Sequence, residues 1–140
     1  MRRTIFTLSL ALALLAGLGL ALPQQKAAPK PDLGKILGTW SLDIDAGGST
    51  ITLTLVLEAT DGKLTGKISE PNGMFTDSPV TNIEYDGESL AYVISVPSPP
   101  DGAVKDWKTQ LKVGADVADG DIANADSGMS ATISGKRVKK

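Results

Sequence analysis

The chain has 140 residues, with 14 basic and 16 acidic side chains and a net charge of −2, a length that suits one domain. It contains no cysteine and no histidine. Disulfides, thiolate metal sites, thiol nucleophiles and the usual imidazole general base or metal ligand are therefore excluded.

The charges are interspersed and form no basic stripe, which argues against nucleic acid as a partner. Arg2 and Arg3 precede an apolar run from Ile5 to Leu22. A basic start followed by a short apolar core predicts a secretory signal peptide. Gly19-Leu20-Ala21 places small residues three and one before a cut after Ala21. The expected signal peptide is thus 1–21, and losing Arg2 and Arg3 with it takes the net charge from −2 to −4. The competing reading is an uncleaved anchor. The run is near the lower length limit for a bilayer span and contains Thr7, Ser9, Gly17 and Gly19. On the cleaved reading the mature form has no transmembrane span. The protein is expected to be exported, either periplasmic or secreted.

Residues 22–35 (LPQQKAAPKPDLGK) are rich in Pro, Gln, Ala and Lys and read as a flexible linker. Asp32 to Leu37 can form one short helical turn. Residues 36–140 are the expected β-barrel domain.

The first strand runs from Gly38 to Asp45, with Trp40, Leu42 and Ile44 on one face. Such period-two alternation marks a half-buried strand. Gly47-Gly48 turns the chain. In the second strand, Ser49 to Ala59, Ile51, Leu53, Leu55 and Leu57 share a face. Asp61-Gly62 is a hairpin signal. The third strand, Lys63 to Glu70, puts Leu64, Gly66 and Ile68 inside, where Gly66 marks a bulge or a close approach. Pro71-Asn72-Gly73 turns into a loop that holds Phe75. The fourth strand, Pro79 to Tyr85, has Ile83 and Tyr85 in phase and ends at Asp86-Gly87. The fifth, Ser89 to Val96, puts Leu90, Tyr92, Ile94 and Val96 on one face. Pro97, Pro99 and Pro100 are expected to stop it. The sixth, Val104 to Val113, lines up Trp107, Thr109, Leu111 and Val113, with a possible bulged continuation past Gly114 to Val117. Asp119-Gly120 reads as the next turn, before a short seventh strand from Asp121 to Ala125. After Ser127-Gly128 the last strand, Met129 to Val138, puts Met129, Ala131, Ile133, Gly135 and Arg137 on one face.

Eight short strands joined by tight turns predict a single all-β domain, an eight-stranded antiparallel up-and-down barrel. Closing the sheet hides both edges. Eight strands enclose just enough space for side chains or one small ligand.

Gly38-Thr39-Trp40 at the start of the first strand, with Arg137 on the inner face of the last, resembles the lipocalin-like (calycin) barrels. The resemblance implies that Trp40 and Arg137 close one end of the barrel, the guanidinium stacking on the indole. Thr39-Trp40 followed by Asp61-Gly62-Lys63-Leu64-Thr65-Gly66 also resembles the start of avidin-type barrels; Trp107 is the one further tryptophan, so no biotin contacts carry over. The whole outline, over residues 36 to 138, is most similar to uncharacterised secreted bacterial domains with a G-x-W first strand, found alone or appended to secreted hydrolases. That likeness lends fold and no activity.

An enzyme needs a placed acid, base or nucleophile. Asp43 and Asp45 share a strand face and could do acid–base work, but that face is the outward one, opposite Trp40. Asp116, Asp119, Asp121, Asn124 and Asp126 form an oxygen-rich run, yet the spacing is not that of a calcium loop and these residue types are ordinary turn chemistry. No metal site, cofactor or catalytic residue is assigned. Tyr85, Tyr92 and Trp107 lie on inner faces and are the candidate ligand-binding residues; they either line a cavity or fill a core. Two functional readings stand. One is a non-enzymatic exported barrel that binds a small apolar ligand or an envelope protein or other envelope component. The alternative is a structural or accessory interaction module with a filled core. A carboxylate-based hydrolase ranks behind both.

Overall fold

The computed structural model describes residues 27–139. The expected signal peptide, and the start of the expected linker, lie outside the described residues. Among the described residues no helix is long and apolar enough to cross a membrane.

Eight strands form a closed barrel in the order β1 to β8. They are β1 Gly38–Asp45, β2 Thr50–Thr60, β3 Lys63–Ser69, β4 Ser78–Tyr85, β5 Ser89–Ser98, β6 Ala103–Val113, β7 Val117–Asn124 and β8 Met129–Arg137. Every neighbouring pair is antiparallel, and β1 pairs with β8 to complete the ring. The fold is thus the all-β, up-and-down barrel that the alternation predicts. Its core is the row of inward side chains, among them Leu42, Leu53, Leu55, Leu57, Ile68, Leu90, Ile94, Leu111 and Ile133, all buried. Asp61 and Gly62 both take positive φ (52° and 74°), the twist that a two-residue hairpin between β2 and β3 requires.

Four local features differ from the sequence expectation. The fifth strand does not stop at Val96: Pro97 pairs with Val104 and Ser98 with Ala103. The sixth strand does not continue to Val117, because the chain turns at Gly114, whose N–H donates to the Val117 carbonyl at 2.7 Å. Asp119-Gly120 is not a turn but the middle of β7, where Gly120 lies opposite Leu111 and Ile133. Gly120 is needed there for space: a Cβ would sit 1.9 Å from the Gln110 carbonyl oxygen. The fourth strand carries an extra residue between Thr81 and Glu84, at Asn82 with φ 50°. This bulge changes the phase, so that Val80 is buried before it and Ile83 and Tyr85 turn partly inward after it.

The short helical turn is a 3₁₀ turn over Leu33–Lys35, capped by the Asp32 carboxylate, which accepts from the Gly34 N–H at 3.0 Å. Although inside the expected linker, this turn packs on the barrel through Leu33, and the following Ile36 is fully buried.

Candidate functional site

Successive turns of an up-and-down barrel alternate between its two ends. One end holds the 3₁₀ turn, the start of β1, the end of β8 and the hairpin turns β2–β3, β4–β5 and β6–β7. Here Trp40 and Arg137 are direct cross-strand partners. The guanidinium lies 4.5 Å from the centroid of the indole, a cation–π contact. The indole Nε1–H donates to the Ile36 carbonyl at 2.9 Å. Arg137 donates from Nη1 to Leu37 O at 2.5 Å, from Nη2 to Lys35 O, and from Nε to Ala115 O at 3.3 Å. One side chain thereby holds the 3₁₀ turn, the β6–β7 turn and the β1–β8 seam together. This end is closed.

The adjoining half of the interior is solid. Leu42, Leu55, Leu57, Tyr92 and Leu111 fill it. Gly66 makes a close approach, since a Cβ there would fall 2.8 Å from Leu57 Cδ2. Tyr92 is opposite Thr109 across β5 and β6. The hydroxyls of both are buried without a hydrogen-bond partner. Burial pushes the Tyr92 phenol far above its ordinary pKa.

The opposite end is open. A cavity of about 1050 Å³ lies between the β1–β2, β3–β4, β5–β6 and β7–β8 turns. Ile44, Leu53, Ile94, Val96 and Ile122 supply apolar wall and floor, while Met74, Phe75 and Met129 stand at the mouth. The volume is in the range that holds a small organic ligand.

Trp107 forms part of the wall. Its Nε1–H donates to Ser98 Oγ at 2.8 Å, and Ser98 Oγ donates to the Val96 carbonyl at 3.0 Å. The polar edge of the indole is thus satisfied by protein. Glu70, largely buried, builds the mouth. Its carboxylate accepts from Asn72 Nδ2 at 2.7 Å and from the Met74 N–H at 3.1 Å. The Glu70 N–H donates to the Phe75 carbonyl at 2.9 Å. Glu70 thereby folds residues 71–75 over the rim. The Met74 N–H, with help from Asn72, holds its carboxyl below the usual carboxylate range, against the opposing effect of burial.

The three residues expected to bind ligand do not converge. Trp107 lines this cavity, Tyr85 borders the groove between β3 and β4 at the other end, and Tyr92 lines neither. Tyr92 belongs to the filled half. Tyr85 is at the closed end, its hydroxyl donating to the Gly87 carbonyl at 2.8 Å. Burial, and then the charges of Asp32, Asp86 and Glu88, raise its pKa. Ile44, Ile51, Met129 and Ala131, expected on strand faces but not as ligand contacts, and the loop residue Met74 belong to the open-end turns or to the strand ends beside them. Alternation of turns was the signal that could have found them.

The carboxylates weighed as catalytic or metal-binding are dispersed. Asp43 is exposed and accepts from Thr52 Oγ1 at 2.7 Å. Asp45 accepts from the Gly47 N–H at 3.0 Å. Asp116 pairs with Lys139 at 3.0 Å and Arg137 at 3.7 Å. Asp119 and Asp121 point outward on β7, while Asn124 is buried and caps the next turn, accepting from the Ser127 N–H at 2.7 Å. Among the described residues no three acidic side chains gather as a metal site would require.

No protein-family model and no curated protein matches the sequence. Two solved structures do match in shape. A point mutant of the fluorescent protein UnaG superposes with a TM-score of 0.50 at 19% identity, over 78% of this chain and all (100%) of that one. A redesigned β-barrel gives a TM-score of 0.49 at 16% identity, over 76% of this chain and 94% of that one. With the closed ring of eight strands and the Trp40–Arg137 pair at its sealed end, the likeness to UnaG establishes the fold as a lipocalin-like barrel.

Proposed function

We propose that this protein is exported and binds a small apolar molecule in the open-end cavity, without catalysing a reaction on it. The observation that carries the reading is the cavity itself: about 1050 Å³, walled by aliphatic side chains and Trp107, above a solid floor. A barrel selected only for stability would fill that space, because leaving apolar volume empty costs stability. The non-catalytic part of the proposal is supported by the state of the carboxylates at the site. Both oxygens of Glu70 are engaged by the loop, and Asp45 caps its own turn. The proposed export rests on the basic and apolar N-terminal pattern.

The competing reading, an accessory module with a filled core, draws on the solid half of the barrel. A titration separates the two. N-phenylnaphthylamine, whose emission rises in apolar surroundings, should bind wild type in the micromolar range. Ala131→Trp, which adds an indole to the cavity wall, should abolish binding while the protein stays folded. Absence of binding to wild type, or undiminished binding to Ala131→Trp, would refute the cavity as the site.

A further inference from the structure

We infer that the ligand of this cavity is uncharged, and that the site rejects anionic amphiphiles such as carboxylates and sulfonates. The inference rests on the binding role proposed above and narrows its chemistry.

Among the described residues that line the cavity, none is lysine or arginine, and two, Asp45 and Glu70, carry carboxylates. An anionic head drawn into this space would lose its hydration without gaining a cation, which is strongly unfavourable. It would also meet like charge at the mouth.

Two basic residues have the inward phase of their strands, and neither is available to an anion. Arg137 lies at the opposite, closed end, bound to three backbone carbonyls and stacked on Trp40. Lys105 is nearer the mouth but not in the lining. Its ammonium is 3.3 Å from Asp101 Oδ1 and 3.4 Å from the Pro99 carbonyl. Asp101 neutralises it within the β5–β6 turn.

The polar groups of the lining point the same way. The indole N–H of Trp107, a donor that an anion could have used, is spent on Ser98. The Met74 N–H is spent on Glu70. What is left for a ligand is a mainly apolar surface with neutral hydroxyls of Ser49, Thr50 and Ser130 near the rim, which rewards burial of apolar area and offers no counter-charge.

The test compares two probes that share one aromatic body. N-phenylnaphthylamine is neutral, and anilinonaphthalene sulfonate carries a permanent negative charge. Wild type should bind the sulfonate at least about tenfold more weakly than the neutral probe. Met129→Lys, which puts an ammonium at the exposed rim, should narrow that gap severalfold. Equal affinity for the two probes would overturn the charge rule and leave the binding role standing. A gap that Met129→Lys does not change would also overturn it, since the discrimination would then not be electrostatic. Binding of neither probe would remove the binding role and this inference together.

Discussion

Arg137 and Trp40 face each other across the one seam where the barrel's first and last strands meet. Their contact joins the barrel's first strand to its last, 4.5 Å between guanidinium and ring centre. Arg137 also binds carbonyls of Lys35, Leu37 and Ala115. Closure of the sheet and docking of the 3₁₀ turn therefore depend on the same two side chains.

Trp40→Ala should destabilise the protein by about 3–5 kcal/mol, the usual range for a large aromatic lost from a core. Arg137→Ala should cost about 2 kcal/mol, because it removes charge-assisted hydrogen bonds together with a cation–π contact. Arg137→Lys should recover only part of the loss, since one ammonium cannot span three carbonyls as the planar fork does. Urea unfolding midpoints check this. A Trp40→Ala midpoint equal to wild type would break the closure argument.

Tyr92 separates packing from polarity. Its ring fills the solid half of the barrel, while its hydroxyl has no partner. A buried, unpaired hydroxyl costs free energy that its removal returns. Tyr92→Phe should therefore melt at the wild-type temperature or above, by up to about 1 kcal/mol of added stability. Tyr92→Ala should lose about 3–5 kcal/mol. A clear loss in Tyr92→Phe would mean that the hydroxyl is bonded in solution.

The mouth loop should respond to acid through Glu70. The folded state holds this carboxyl below its ordinary pKa, chiefly through the Met74 N–H. A depressed folded pKa adds stability that is present above the unfolded value, about 4.3 for glutamate, and lost as pH falls through the folded value. The Met74 amide resonance should titrate with a midpoint below about 4.3, and Glu70→Gln should abolish that titration. A midpoint at or above the ordinary glutamate value would contradict the assignment.

Alternation and turn chemistry made most of the barrel legible in the sequence. Leu53, Leu55 and Leu57 are buried as their spacing requires, and Asp61-Gly62 forms the hairpin it announces. The failures have local physical causes. Gly120 looks like a turn residue, but it is a strand residue whose missing Cβ lets β6 and β7 approach. The extra residue at Asn82 leaves no mark on composition, so the change of phase between Val80 and Ile83 was hidden. The candidate site was less legible than the fold. Parity tells which residues face inward, and Tyr85, Tyr92 and Trp107 share it. Height along the barrel axis decides which of them line the open-end cavity, and height follows from the end at which each turn lies. Tyr85 is next to the β4–β5 turn at the closed end, whereas Trp107 follows the β5–β6 turn at the open one.

The most direct measurement is a native mass spectrum of the protein purified gently from an exporting source. The account predicts an additional small mass that disappears on denaturation, or that is taken up from an added lipid extract by wild type but not by Ala131→Trp. A bare protein mass, unchanged by the extract, would contradict a ligand-binding barrel.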